Sequence, residues 1–411
     1  MTLAHTMLDD LFRRAGVRAP SRLALLDPPD CARVTGRPPR TLTFAETDRA
    51  IAALAARLNA LGLATGTVIG LQLANTVESM VALLGVLRAG MVAAPLPLLW
   101  RRQDTVAALG RAGAKAIICA PPTADAAMQS AAELFPIRYV CGFGQGLPDG
   151  VVPLDDIFAA AAATMQPSPR TGTAGERMAL VSFDVTAGGI VPVVRSHRDI
   201  VTAGLDVARA AGLGADMNLL CALVPGTFAP VALGIVPWLL TGGTLALHQP
   251  FDPQILRAQC EALGSCAVVL PGPVLQPLCD AKLIDASVTA AIALWRAPER
   301  LADAPAWRGA AQLVDVVGAD ESSLAAVPRD TAGVPPPAGI VTIGGYRFGR
   351  RALEADIAGI DPDAALLALP DALLGERLLG TAAHPEAVCA ALEARGANPL
   401  ICGAFRARKA A

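Results

Sequence analysis

Apolar residues in the first part of the chain follow two different spacings in turn. Ile51, Leu54, Leu58 and Leu61 recur every three or four residues, which predicts a helix with one buried face. The mostly apolar run 68–73 comes next and is typical of a strand that is buried on both faces. Together they have the pattern of a helix that packs against a sheet.

The same alternation continues toward residue 120. Asn75 can cap a further helix that ends at Gly90, with Glu78 three residues later as in a capping box. Short apolar runs then predict strands at 92–95 and 116–119. Helices that alternate with short strands predict crossover units on a parallel sheet, so the expected class is α/β.

Two stretches rich in proline, glycine and polar residues predict surface connections at 166–177 and 327–339. We place a domain boundary at the second stretch, which divides the chain into a large domain (residues 1–338) and a small domain (residues 339–411). The pattern of the small domain predicts a helix, two strands and a helix, at 351–360, 364–369, 377–382 and 385–395. The small domain is therefore expected to be α+β.

One long segment has no charged side chain between Asp216 and Asp252. A single membrane span is one interpretation, and a broken helix, turn and strand in the core is the other. Three prolines interrupt any helix there, namely Pro225, Pro230 and Pro237. Gly242 and Gly243 predict a turn before a strand at 244–247, so we expect the core arrangement and no membrane span.

Composition narrows the possible ligands and location. The 411 residues are 53% hydrophobic, which is enough to fill substantial cores. A formal charge of -2, from 34 basic and 36 acidic residues, gives no overall field that would recruit nucleic acid or an anionic membrane. The nine cysteines form no C-x-x-C pair, and the first residues lack the apolar run of a secretory signal. The expected location is the cytoplasm.

Several short motifs occur in the order of one enzyme family. They are TLTFAETD at 41–48, NTVE at 75–78, LRAG at 87–90, PLP at 95–97, SH at 196–197, FDP at 251–253, VVLPGP at 268–273, GADES at 318–322, GGYR at 344–347, PD at 370–371 and GER at 375–377. The chain resembles the AMP-forming acyl-CoA ligases, which belong to the adenylate-forming (AMP-binding enzyme) superfamily. The resemblance implies a large N-terminal domain with parallel sheets flanked by helices and a small C-terminal domain.

The resemblance also implies an activity and its cofactors. Such ligases join a carboxylic acid to ATP as an acyl-adenylate and then transfer the acyl group to CoA. The family's phosphate loop corresponds to 183–192, where Thr186, Gly188 and Gly189 are the candidate contacts. The motif at 317–321 supplies Gly318 for the nucleotide and Glu321 as the candidate Mg²⁺ ligand, and Glu321 and Thr186 are the candidate catalytic residues. ATP with Mg²⁺ and CoA are the cofactors implied for an active ligase, and CoA or pantetheine alone is the alternative.

The acyl and thiol side of the implied site has candidates of its own. Gly344 and Gly345 are similar to the turn that lets a pantetheine arm approach the backbone, although a plain hairpin turn fits equally well. Arg347 can meet a phosphate of CoA or of the pantetheine on an acyl carrier protein. Thr227 and Phe228 correspond to the acyl pocket. The implied ligand is a small carboxylic acid or an acyl thioester.

Several positions differ from the family's nucleotide motifs. Val191 occupies the position of the phosphate-loop lysine, and Asp184 occupies that of a hydroxyl residue. At about 4 Å an added negative charge opposes a phosphate by roughly 4 kcal/mol at an effective dielectric of about 20. The turn at 186–189 is then expected to be a strand-to-helix connection rather than an anion nest. An internal salt bridge between Asp184 and Arg195 would fill the phosphate pocket.

Other nucleotide contacts are also altered. Val317 replaces the aromatic ring of the 317–321 motif, and Asp320 replaces its threonine. The segment 322–343 is too short to carry the family's ribose-binding aspartate. Lys409 is the nearest candidate for the family's C-terminal lysine, although a frayed basic tail is the simpler interpretation.

Two functions follow from these observations. One is an acid–CoA ligase with an eroded ATP site. The other is a non-adenylating relative that binds an acyl group, an acyl thioester or a protein partner on the ligase scaffold. Ser196 and His197 suggest a nucleophile and a base, but neighbouring residues at a helix start point apart, so we expect this pair to be structural.

Overall fold

The computed structural model describes residues 6–159, 174–329 and 338–406. Most of the first predicted connection (166–173), part of the second (330–337) and Lys409 lie outside these ranges. Within these ranges the chain forms two large sheets covered by helices and one small antiparallel sheet. The predicted α/β class is therefore confirmed.

The first sheet, here the N-terminal sheet, has seven strands. In spatial order they are Val152–Pro153, Tyr139–Gly142, Ala116–Cys119, Val68–Gln72, Val92–Pro95, Met178–Thr186 and Gly189–Ser196. All neighbouring strands are parallel except the last pair, which forms an antiparallel hairpin. The strands predicted at 68–73, 92–95 and 116–119 are confirmed here.

The central sheet has eight strands and contains the parallel strands whose ends form the site. In spatial order they are Ala325–Val327, Gln312–Val317, Val288–Trp295, Cys266–Pro271, Asn218–Cys221, Leu245–Leu247, Leu23–Leu26 and Thr41–Thr43. The outermost pair at each edge is antiparallel and the inner pairs are parallel.

The C-terminal sheet consists of four antiparallel strands. In spatial order they are Tyr346–Gly349, Ile340–Ile343, Gly375–Thr381 and Ala365–Asp371. Helices Arg350–Ala358 and Pro385–Ala394 pack on it and share a separate apolar core with it. The helix–strand–strand–helix pattern predicted for the small domain is confirmed, whereas the boundary near Gly339 stays a prediction.

Helices cover the two larger sheets. Those of the large part are Leu8–Arg18, Ala32–Thr35, Phe44–Ala60, Val77–Arg88, Arg102–Ala112, Pro121–Glu133, His197–Ala210, Pro253–Leu263 and Gly272–Asp280, and the C-terminal part adds Pro399–Cys402. Short 3-10 turns lie at Asp155–Phe158, Ala174–Glu176, Pro298–Arg300 and Gly403–Phe405. The amphipathic pattern at 51–61 corresponds to Phe44–Ala60.

The cap assigned to Asn75 is wrong. Helix Val77–Arg88 begins after Thr76, whose N–H donates to the Ser79 hydroxyl at 3.3 Å. Asn75 instead donates its side-chain N–H to the carbonyl of Cys221 at 2.8 Å. The amide therefore connects the N-terminal sheet region to the central sheet, a long-range contact that local pattern cannot reveal.

Most of the uncharged segment 217–251 is buried in an apolar core to which both large sheets contribute. Its helix continues through Pro230 and Pro237, as α-helix at Phe228–Pro230, a π-helical turn at Val231–Ile235 and α-helix at Val236–Thr241. The expected break is therefore wrong: Pro230 lies in the first helical turn, where its missing N–H needs no partner, and the π turn before Pro237 absorbs the altered hydrogen bonding there. The turn at Gly242 and the strand after it are confirmed. No helix in the described ranges is long and apolar enough to span a membrane.

Two groups of contacts hold the C-terminal part against the large part. At one, Arg102 donates to the carbonyl of Arg395 at 2.8 Å, and the Gln103 side chain donates to Asp356 at 3.1 Å. At the other, Arg347 forms an ion pair with Asp184. The second group closes over a cavity.

Candidate functional site

A cavity of about 480 Å³ lies at the carboxyl ends of the central sheet's parallel strands. Pro271 and Trp295, the last residues of their strands, form part of its floor. The N-terminal sheet contributes Asp184, and the C-terminal sheet contributes Gly344 and Gly345. All three sheets therefore meet at this cavity, at the edge where α/β sheets generally bind ligands.

The wall of the cavity is mainly apolar. Five aromatic rings line it, those of Trp100, Phe183, Phe251, Trp295 and Tyr346. The indole N–H of Trp295 donates to Asp315 at 2.7 Å, so this ring is fixed and presents only its apolar surface. A volume of this size and such a lining are typical of small-molecule sites.

One ion pair crosses the cavity wall between the two parts of the chain. Arg347, the second residue after the Gly344–Gly345 turn, pairs with Asp184 on the N-terminal sheet. Burial raises the pKa of the Asp184 carboxyl, and the Arg347 charge opposes that rise. Arg195 forms no salt bridge with Asp184 within the described residues, and the guanidinium that pairs with Asp184 comes from the C-terminal sheet instead.

A second ion pair involves Glu321, which is only 1% exposed. Arg296 donates to one carboxylate oxygen at 2.7 Å, and the backbone N–H of Phe228 donates to the other at 2.7 Å. The guanidinium of Arg195 stacks on the Phe228 ring at 3.8 Å and donates to the backbone carbonyl of Glu321. Both oxygens of the predicted metal ligand therefore have protein donors.

Residues 186–189 form the two-residue turn of a β-hairpin. Strands Met178–Thr186 and Gly189–Ser196 pair antiparallel, so the expected strand-to-helix connection is wrong. The Thr186 hydroxyl accepts from the N–H of Gly188 at 3.2 Å and donates to the carbonyl of Gly189 at 3.0 Å. Gly189 has φ +106°, which a side chain would strain. The predicted contacts Thr186, Gly188 and Gly189 thus bond to one another.

The 317–321 motif follows the end of strand Gln312–Val317. Gly318 donates to the carbonyl of Trp295 at 3.0 Å, and a Cβ there would lie 2.6 Å from Leu324. Asp320 accepts from the N–H of Ser322 at 2.8 Å in a local turn. No cluster of three or more His, Cys, Asp or Glu side chains suited to a metal occurs in the described part of the chain.

The Gly344–Gly345 pair is both a hairpin turn and a part of the cavity wall. Ile343 pairs with Tyr346, so the two glycines form the turn, with φ values of +55° and +87°. Both glycines and Arg347 line the cavity. The hairpin-turn alternative is therefore confirmed, with glycine suited to both positive φ values, and the contact with a pantetheine arm stays a prediction.

The two predicted acyl-pocket residues lie differently. Thr227 lines the cavity. Phe228 is 3% exposed beneath Arg195 and is not among the lining residues. Sequence reasoning missed Tyr346, Leu373 and Leu374, which close the cavity from the C-terminal sheet. Tyr346 stands in the GGYR motif at 344–347, and Leu373 and Leu374 lie in a turn between two strands, but no pattern marked them as cavity residues.

Ser196 and His197 are separated from the cavity and bond elsewhere. Ser196 caps helix His197–Ala210, with its hydroxyl accepting from the N–H of Asp199 at 3.2 Å. His197 is 2% exposed and accepts from the N–H of Leu8 at 3.4 Å. Burial lowers the pKa of His197 to about 4, so the ring is neutral near pH 7.

Ser196→Ala is expected to lower the free energy of unfolding by about 1 kcal/mol, because the helix loses its side-chain cap. Urea unfolding measures this change. A catalytic serine would instead carry an acyl adduct after incubation with an acyl thioester. Detection of that adduct by mass spectrometry, and its loss in the variant, would contradict the structural role.

The chain has sequence similarity to one family over its first part. Residues 12–164 match the AMP-binding enzyme family. The long-chain fatty acid transport protein 1 of Bos taurus is 32% identical over 149 residues, which is 36% of this chain. That match spans 22% of the bovine protein's own length.

Solved structures extend the likeness in fold to nearly the whole chain. The amide bond synthetase McbA of Marinactinospora thermotolerans has a TM-score of 0.74 at 16% identity, covering 96% of this chain and 94% of that one. Apo MbtA of Mycobacterium smegmatis has a TM-score of 0.65 at 20% identity, covering 96% and 90%. An acyl-CoA synthetase of Brucella canis has a TM-score of 0.61 at 16% identity, covering 95% and 88%.

These likenesses agree with the two large sheets, the small antiparallel sheet and the motif order. The sequence match covers residues 12–164, which include most of the N-terminal sheet. The structural likeness extends over nearly the whole chain. The chain therefore has the adenylate-forming ligase fold, and its residues 12–164 are similar to the AMP-binding enzyme family.

Proposed function

We propose that this chain is a non-adenylating member of the superfamily that binds an acyl group or acyl thioester in the 480 Å³ cavity. The observation that carries the proposal consists of two internal ion pairs, formed by the residues that correspond to the family's nucleotide motifs. Asp184 pairs with Arg347, and Glu321 pairs with Arg296. Side chains of the protein thus already neutralise one another where a nucleotide would need free cations and a free carboxylate.

ATP with Mg²⁺ fits these residues poorly. Val191, exposed at the position of the family's phosphate-loop lysine, offers no positive charge. Asp184 places a carboxylate beside the same turn, and binding of a metal at Glu321 would require loss of Arg296. Each lost electrostatic contact to a transferring group is worth roughly 3 to 4 kcal/mol, so several together would slow adenylation by many orders of magnitude.

The thioester side of the cavity supports a ligand of the acyl or pantetheine class. The Gly344–Gly345 turn brings backbone to the cavity wall, and Arg350 and Arg351 lie exposed at the start of the following helix. These arginines are placed to meet a phosphate of CoA or of the pantetheine on an acyl carrier protein. All nine cysteines are free, which fits the reducing cytoplasm where CoA thioesters are used. We also propose that the residues from about 339 onward form a separate small domain.

Calorimetry together with ATP–pyrophosphate exchange tests the proposal. We expect no binding of ATP or AMP, no exchange with a panel of carboxylic acids, and binding of an acyl-CoA. Clear exchange with any acid would overturn it.

An acid–CoA ligase is the second candidate function. The retained Glu321 and the Gly344–Gly345 turn at the cavity favour it. Formation of a CoA thioester from acid, ATP and CoA would establish this function. As a control, acyl-CoA added without acid or ATP should not be consumed.

A further inference from the structure

Four charged side chains line the cavity, and one of them has no acidic partner. Arg347 pairs with Asp184, and Arg296 pairs with Glu321. Arg300, which also lines the cavity, forms no ion pair within the ranges that the structure describes. Arg300 is therefore the lining cation that a ligand can meet without displacing an acid of the protein.

Arg300 lies at the rim of the cavity. It ends the short turn Pro298–Arg300, and its guanidinium donates to the carbonyl of Ala372 in a solvent-exposed bond. The next two residues after Ala372, Leu373 and Leu374, line the cavity and are 54% and 44% exposed. Residues that line a cavity and also face solvent mark its opening, so the Arg300 charge lies beside the entrance.

The acid that begins this turn, Asp371, has other partners. Its carboxylate accepts from the backbone N–H groups of Leu374 and Leu373, at 2.9 Å each. These two bonds hold the pKa of Asp371 below its usual value, and the charges of Arg377 and Arg300 contribute less. Asp371 therefore shapes the turn and leaves the remaining N–H donors of Arg300 available to a ligand.

We propose that Arg300 binds an anionic group of the ligand at the rim, so that the ligand is an amphipathic anion whose apolar chain lies inward between the aromatic rings of the wall. This inference rests on the proposed function, and it names the chemical class of the ligand and its orientation. Guanidinium groups bind carboxylates and phosphates through charge-assisted hydrogen bonds. The shared chemistry is an oxyanion joined to an apolar chain, and its two sources are a free carboxylic acid and the phosphate of an acylated pantetheine.

The reverse orientation is unfavourable. An anion at the buried Asp184–Arg347 pair would be repelled by the Asp184 carboxylate, and the cations there, Arg347 and Arg296, already hold acids. At the half-exposed rim an anion keeps part of its hydration, so its desolvation costs less than in the interior. The apolar chain gains most where the aromatic rings exclude water. Both terms therefore favour the anionic group at Arg300.

Two matched pairs of probes test the charge preference by calorimetry at low salt. Octanoate and octanamide differ in the carboxylate, and S-octanoyl-4′-phosphopantetheine and S-octanoyl-pantetheine differ in the phosphate. We expect the anionic member of at least one pair to bind about tenfold more tightly than its neutral partner, and the pair that shows this preference identifies the source of the anion. If neither pair shows a preference while any of these probes or octanoyl-CoA binds, the inference is wrong and the proposed function stands. If none of them binds, both fail.

Variants at Arg300 locate the charge. Arg300→Gln should abolish the preference for the anionic probe, whereas Arg300→Lys keeps a cation and should retain most of it. Arg308→Gln is the matched control and should leave the preference unchanged, because Arg308 pairs with Asp280, its side chain is 64% exposed and it does not line the cavity. A folded Arg300→Gln protein that keeps the full preference would refute the inference.

Thermal unfolding shows whether each variant is folded, because Arg300 also bonds to Ala372. If Arg300→Gln does not fold, modification of the parent protein by phenylglyoxal decides. The preferred anionic probe should protect Arg300 from modification, as measured by mass spectrometry of peptides, and should leave Arg308 unprotected. Equal modification of Arg300 with and without the bound anion would overturn the inference.

Discussion

Glu321→Ala is expected to lower the free energy of unfolding by about 3 to 5 kcal/mol, because it leaves a buried arginine without its counter-ion. Arg296 is 13% exposed in its side chain and donates to Glu321 at 2.7 Å. The same substitution removes the acceptor for the backbone N–H of Phe228. Urea unfolding followed by fluorescence measures the loss.

Glu261→Ala is the matched control for this substitution. Glu261 accepts from Arg257 at 2.8 Å, but both side chains are about half exposed. Exposed pairs of this kind contribute about 0.2 to 1 kcal/mol, so the control should remain near the parent protein. If Glu321→Ala also left stability unchanged and abolished a Mg²⁺-dependent binding of ATP, Glu321 would be a metal ligand and not a structural acid.

Asp104→Asn is expected to raise the free energy of unfolding at pH 8 by about 2 to 4 kcal/mol. Asp104 lies in helix Arg102–Ala112, which contacts the C-terminal part of the chain. Burial raises the pKa of Asp104 to about 7, and the nearby charge of Asp356 acts in the same direction. Its Oδ2 is buried, with no hydrogen-bond partner in the ranges described.

The sign of this pH dependence follows from proton binding. The folded protein holds a proton on Asp104 up to about pH 7, whereas the unfolded chain releases it near the ordinary aspartate pKa of 3.8. This group therefore favours folding fully below about pH 4, and its contribution is lost as the pH rises to about 7. Asparagine mimics the protonated acid, so the variant and the parent should converge at low pH and differ most at pH 8.

Asp125→Asn, at an exposed position on the neighbouring helix, is the control and should change stability by less than about 0.5 kcal/mol. Denaturation curves from pH 4 to pH 8 provide the comparison. A parent-like slope in the Asp104→Asn protein would show that this carboxyl is not the group that titrates. Amide exchange in helix Arg350–Ala358 gives a second measure, because removal of the buried charge should slow exchange there at pH 8.

Local pattern predicted most elements, because each depends on residues close together in sequence. The strands at 92–95 and 116–119 occur at the predicted residues, and the helix predicted at 385–395 is Pro385–Ala394. The errors occurred where contacts between residues far apart in sequence determine the local structure. Asn75 bonds across to Cys221 rather than capping a helix, and the helix through Pro237 continues because a π turn in the core absorbs the altered hydrogen bonds.

Sequence by itself determined the α/β class, the order of the elements and the resemblance to adenylate-forming enzymes, since these depend on hydrophobic period and on short motifs. It also predicted that Asp184 and Val191 depart from the family's phosphate loop. Only the tertiary structure decided how the charged residues pair. Arg347 lies 163 positions from Asp184, and Arg296 lies 25 positions from Glu321, so no local pattern relates them. Ion pairing depends on distance in space, which the packing of the three sheets sets.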